Sequence, residues 1–203
     1  MAINLTKGQR INLEKANGTK LSSICVGINW GAIEKKSWLG GVKKEAVDLD
    51  ASCALYDDSK NIVDIVYFGN LRSKDNAVAH SGDDLTGDMG GDDGLDNEII
   101  TVHFPMLNPS VTYVAFVLNS FRGHDFGTIP FASIRIYEGT SKKVNEVFAK
   151  YDIANGAGFA GHVSMVMGVF YKRNSEWKFN AVGEPTKDKK LEETLKTVTQ
   201  NYL

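Results

Sequence analysis

The sequence predicts an all-β protein, an antiparallel β-sandwich with a C-terminal α-helix, and three observations carry that expectation. Apolar or alternating runs of strand length recur between turn signals. Most intervening segments are too short for the crossover helix that a parallel sheet requires. A 3.6-residue apolar period is convincing only at the end of the chain. The 20 glycines suit the many turns of such a fold, and a barrel is the alternative closure of the same strands.

In chain order the strand-like runs cover residues 23–29, 46–56, 61–68, 98–104, 111–119, 134–137, 147–153, 164–171 and 177–182. Turn-rich pieces at 57–60, 107–110, 138–141 and 172–175 separate several of them. The segment 38–45, with Gly40, Gly41, Lys43 and Lys44, reads as a long loop between two strands. At the C-terminus Leu191, Leu195, Val198 and Tyr202 form one apolar stripe beside Lys189, Lys190, Glu192, Glu193 and Lys196. This is a helix within 185–203 that caps the sandwich.

The composition narrows the function classes. With 203 residues, 42% hydrophobic and 24% charged, the chain is long enough for one sizeable core, and one domain over 1–203 is expected. A net charge of −2 gives no global basic field, so no nucleic-acid partner is expected. The N-terminus lacks the apolar run of a signal peptide and no window resembles a membrane span, which places the protein in the cytoplasm as an expectation. Cys25 and Cys53 both fall in strand-like runs and read as reduced core thiols; Met165 and Met167 share one strand face and read as core. Direct redox chemistry is therefore not expected of them.

The informative electrostatics lie between Asp83 and Glu98. Seven acids (Asp83, Asp84, Asp88, Asp92, Asp93, Asp96 and Glu98) occur there without a single Lys or Arg, among the glycines Gly82, Gly87, Gly90, Gly91 and Gly94. Seven ionised carboxylates in one loop repel one another and call for a counter-charge that the segment does not contain. Calcium suits it: the ion takes six to eight oxygens flexibly, and glycines allow carbonyls to turn inward. Magnesium, which demands a regular octahedron, fits less well, and zinc lacks clustered His and Cys. Upstream, Asp48 and Asp50 interrupt an apolar strand; at i and i+2 they share a face about 6.5 Å apart and form a second candidate ligand pair. A solvated acidic loop remains the alternative. The template of the helix–loop–helix calcium motif fails, since Met89 stands where its glycine belongs, and phosphate-loop, serine-elbow and zinc-protease motifs are absent.

Five segments, 26–30 (VGINW), 47–52 (VDLDAS), 69–73 (GNLRS), 80–87 (HSGDDLTG) and 170–179 (FYKRNSEWKF), resemble in order and spacing the TerD family of tellurium-resistance and general stress proteins. The resemblance extends from about residue 2 to residue 183 and implies a cytoplasmic calcium-binding β-sandwich associated with resistance to tellurite and other stresses. Carried over to this chain, it implies metal ligands from Asp48, Asp50, Asp83, Asp84, Asp88, Asp92, Asp93, Asp96 and Glu98, with carbonyls of loop residues such as Leu85 and Gly87 completing the shell, and two calcium ions. Three positions depart from the family pattern: Gly31 where many members have an acid, Asp84 where asparagine is common, and an apparent insertion at 94–97.

The leading functional expectation is a non-catalytic calcium-binding stress protein whose ordered acidic loop forms a surface for other stress or tellurium-resistance proteins. One alternative is a calcium-dependent membrane-surface module, for which the sequence lacks a basic cluster beside the loop. Another is a glycoside hydrolase using Asp48 or Asp50, with Trp30 or Trp38 stacking sugar.

Overall fold

In a computed structural model that describes residues 3–4, 6–14, 18–36, 40–152 and 158–203, the chain forms fourteen strands and one α-helix. The strands are β1 (Ile3–Asn4), β2 (Arg10–Asn12), β3 (Ser23–Trp30), β4 (Ile33–Lys36), β5 (Val42–Glu45), β6 (Leu49–Asp57), β7 (Ile62–Val66) and β8 (Val78–His80). They continue as β9 (Glu98–His103), β10 (Val111–Ser120), β11 (Ala132–Thr140), β12 (Lys143–Asp152), β13 (Ser164–Arg173) and β14 (Glu176–Thr186), and α1 spans Leu191–Asn201. Two six-stranded sheets, β1-β12-β11-β3-β9-β8 and β2-β14-β13-β10-β6-β7, form the sandwich, with β4 and β5 as a separate hairpin. Pairing is antiparallel except between β1 and β12.

Alternation along each strand decides what lies between the sheets. Leu49, Ala51, Cys53 and Leu55 of β6, Val114, Phe116 and Leu118 of β10, and Ile24, Val26, Ile28 and Trp30 of β3 all enter one core. The opposite face of β6 and β10, with Ala54, Tyr56, Ala115 and Val117, packs beneath Leu195 and Val198 of α1. Its amphipathic stripe therefore covers the outer face of one sheet. Cys25 and Cys53 are free and buried, as are Met165 and Met167.

All nine strand-like runs are strands, with shifted ends. The segment 38–45 is not simply a loop: Val42–Glu45 pairs with Ile33–Lys36, Ile33 opposite Glu45. Residues 185 and 186 end β14, so the helix begins later than 185. Trp38 and Ile153 lie outside the described residues.

Candidate metal centre

At one end of the sandwich, β6 begins where the acidic loop returns toward β9. Asp48 immediately precedes β6 and Asp50 lies within it; both are buried. Asp83, exposed at the start of the loop, joins them so that one carboxylate oxygen from each lies within 4.8 Å of the others. Among the described residues no other three Asp, Glu, His or Cys side chains meet in this way. The donors are all hard oxygens, the set that calcium or magnesium takes and that zinc and softer metals do not favour.

Each acid carries a cost that reflects its position. Loss of solvation, reinforced by Glu98, Asp48 and Asp83, pushes the Asp50 carboxyl up to about 7. Asp48 is also raised by burial, although the Arg122 guanidinium, with Nε 3.3 Å from Oδ2, works against the shift. Two buried carboxylates beside a third acid form a site that asks for positive charge, and one half-exposed arginine supplies part of it.

Glu98 ties the loop to the strand. It is fully buried; Oε2 accepts the Ala51 N–H at 2.8 Å, and Oε1 accepts the Asp84 N–H at 3.2 Å. His80 Nδ1 accepts the Gly82 N–H, so the ring proton sits on Nε2, which lies 3.1 Å from the Ala51 carbonyl and 3.4 Å from Glu98 Oε2. Desolvation raises the Glu98 carboxyl despite these partners.

The remaining sequence-predicted residues divide into two groups. Asp84 and Asp88 are joined by Asn97, whose Nδ2 donates to Asp84 Oδ2 and Asp88 Oδ1 at 3.1 Å each while its Oδ1 accepts the Trp30 N–H at 2.8 Å. For Asp84, desolvation pushes upward, but the N–H groups of Thr86 and Gly87 and the Asn97 amide outweigh it and hold the carboxyl below its ordinary value. Burial raises Asp88. Asp92 and Asp96 instead dock against the outer face of the other sheet. Asp92 accepts from Asn29 Nδ2 at 2.9 Å, and Asp96 accepts from Arg135 Nε at 2.7 Å in a pocket that exists because residue 27 is glycine. Asp93 accepts the Leu95 N–H.

Leu85 is exposed, whereas Gly87 is buried with φ +64°, and a Cβ there would meet the Trp30 indole at 2.6 Å. Replacing Gly87 by Ala combines a left-handed backbone with a clash, so a loss of about 1–3 kcal/mol is expected in denaturant unfolding. An unchanged midpoint would show that the loop does not seat on Trp30 as described.

Several contributors were not legible from the sequence. The counter-charges come from outside the loop: Arg122 follows β10, Arg135 lies on β11, and Lys44 Nζ donates to the Met89 carbonyl at 2.6 Å. Their placement depends on sheet register. At Gly31 a Cβ would lie 2.4 Å from the Phe131 ring, so a side chain there would have to displace that ring. Asp96 and Asn97 anchor the loop to both β11 and β3.

The TerD domain matches residues 1–198. The chain belongs to the TerD family. The stress response protein SCP2 of Bacillus subtilis is 36% identical over 206 residues, covering 96% of this chain and 98% of that protein. Tellurium resistance protein TerZ of Serratia marcescens is 33% identical over 193 residues, covering 94% of each. The fold is similar to the crystal structure of a homologue of telluride resistance protein TerD, SCO6318 from Streptomyces coelicolor, with a TM-score of 0.61 at 18% identity over 84% of this chain and 92% of that one. The TerD relatives thus carry tellurium-resistance and stress-response names. No helix among the described residues of this TerD chain is long and apolar enough to cross a membrane.

Proposed function

We propose that this TerD-family chain is a cytoplasmic, non-catalytic calcium-binding stress-response protein, acting as a single domain, in which the metal-bound acidic loop presents a surface to other stress or tellurium-resistance proteins. The observation that carries this reading is the convergence of Asp48, Asp50 and Asp83, two of them buried. Those three side chains would hold one ion; Asp84, Asp88, Asp92 and Asp93, with the Leu85 and Gly87 carbonyls, are the groups proposed for a second. When bound, calcium supplies the positive charge that makes ionised Asp48 and Asp50 favourable beside the core. Glu98, Asn97 and Asp96 fix the loop to β6, β3 and β11, so the acids meet on a braced backbone.

Order in the loop is the quantity to test. Its tip exposes Leu85, Met89 and Leu95, apolar groups suited to a protein contact once the loop is held. Limited proteolysis of chelator-stripped protein is expected to cut within residues 81–97, calcium is expected to slow that cleavage, and Asp50→Ala is expected to weaken the protection. Cleavage at one rate with and without calcium would refute a loop-ordering role.

A further inference from the structure

On the outer face of the sheet beneath α1, Asp50 and Asn119 stand opposite each other on β6 and β10. Beyond them, toward the N-terminus of α1, a cleft of about 350 Å³ opens to solvent, within the size range of small-molecule sites. Asn119 is only 6% exposed and donates through Nδ2 to Ser164 Oγ at 2.7 Å and Thr194 Oγ1 at 3.0 Å, yet its Oδ1 has no partner. Next to it Ser120 is 4% exposed, and its Oγ also has no partner. Both residues line the cleft. Two buried polar groups left unsatisfied in residues that line a cavity are an unusual expense unless something from outside meets them.

The other walls define what that would be. Asp50 and Ser52 extend the polar floor. Phe68 and Phe121 form one side, their rings edge-to-face at 5.9 Å, with Tyr67 packed edge-on to Phe68 at 5.3 Å. Phe121 is 66% exposed, so most of its ring is open to solvent. At the rim stand Lys189 and Lys190, with Glu192 beside them. A carboxylate and an amide oxygen on the floor need hydrogen-bond donors, hydroxyls beside them can donate or accept, the aromatic side favours a flat C–H or ring face, and the lysines favour an anion. A pure cation would meet the lysines and a pure anion would meet Asp50.

We propose that this cleft is a binding site for a phosphorylated sugar: ring hydroxyls on Asp50, Asn119 and Ser120, the ring face on Phe121 and Phe68, and the phosphate at Lys189 and Lys190. The proposal goes beyond the calcium reading and does not depend on it, although Asp50 borders both sites.

The test is an NMR titration of the full chain with ribose 5-phosphate, run in chelator and again in calcium, with ribose and inorganic phosphate as controls and phenylalanine as a zwitterionic competitor. Saturable shifts at Asn119, Ser120 and the α1 N-terminus are expected, with a dissociation constant below about 1 mM and weaker binding of either control. Phe121→Ser, at an exposed position, is expected to weaken binding roughly fivefold. Lys189→Gln combined with Lys190→Gln is expected to reduce ribose 5-phosphate to the level of ribose. No saturable shift in either condition, shifts elsewhere, binding unaffected by both variants, or tighter binding of phenylalanine would overturn the proposal. A protein that binds ribose 5-phosphate but shows no calcium response would remove the calcium reading alone.

Discussion

Replacing Glu98 with Ala is expected to cost about 3–5 kcal/mol, among the largest effects of any single substitution in this chain. Its carboxylate is fully buried and accepts the Ala51 and Asp84 N–H groups, with the Nε2–H of His80 3.4 Å away. Alanine would leave the Ala51 and Asp84 N–H groups without their acceptor, and an unmet buried donor costs about 1–3 kcal/mol. The damage should not stay local, because Ala51 belongs to β6 and Asp84 to the acidic loop: the same side chain joins the sandwich to the candidate metal site. Glu98→Gln preserves the volume and one acceptor and should fall between wild type and Glu98→Ala. For a domain of this size the loss corresponds to a fall in Tm of roughly 10 °C. A Glu98→Ala protein melting within about 2 °C of wild type would mean that the loop is not held through this carboxylate.

The second large effect is a dependence of metal-free stability on pH that runs opposite to ordinary acid denaturation. Asp50 has its folded-state carboxyl raised to about 7, chiefly by loss of solvation. The folded state therefore binds this proton more tightly than the unfolded chain does, and the stability it gives is present below the unfolded value near 4 and lost as pH rises toward 7. Burial also raises Asp48, Asp88, Asp96 and Glu98 above their ordinary values, which adds to the same trend; Asp84 and, away from the site, Glu45, Asp57, Asp75, Glu176 and Glu184 are lowered and oppose it, chiefly below pH 5, where groups shifted below their ordinary values titrate. Chelator-treated protein is expected to be about 2–4 kcal/mol more stable at pH 5 than at pH 7.5. Asp50→Asn, which cannot ionise, should flatten most of that slope and stabilise the metal-free protein at pH 7.5. Urea midpoints at the two pH values check both statements; a wild-type slope of the opposite sign would show that these acids are not buried as described.

The parts of this molecule that were legible in its sequence are those governed by local pattern. Alternation in β6, β10 and β13 and the stripe Leu191, Leu195 and Val198 reflect which face each residue buries, and burial is what a period records. The short strands were not legible for the same reason. The β4–β5 hairpin carries Lys and Glu residues and exposed Val42, and β8 has only three residues, so neither offers an alternation to read.

At the site, the excess of acids and the D-x-D spacing identified Asp48, Asp50 and the loop, but not how the loop divides. Asp83 turns toward β6, whereas Asp92 and Asp96 cross to Asn29 and Arg135 on the other sheet. Pairing of Arg135 with Gly27 across β11 and β3 creates that second anchor, and such a register has no signature in either segment alone. Arg122 is equally remote, brought to Asp48 by the turn after β10. The cleft was not foreseen because the sequence shows neither which side of β10 carries Asn119 nor that α1 begins just beyond it.

The central claim is that the acids at the start of β6 and in the loop hold calcium, and thermal unfolding of chelator-stripped protein titrated with calcium and, in parallel, magnesium tests it most directly. At about 100-fold over the dissociation constant each independent site adds about 2.7 kcal/mol, or roughly 5–10 °C in Tm for a chain of this length. The account predicts a saturable rise with calcium, a smaller one with magnesium, and a reduction of both in Asp50→Ala, which removes a ligand of the ion held by Asp48, Asp50 and Asp83. An unchanged Tm with calcium, or an equal rise in Asp50→Ala, would contradict it.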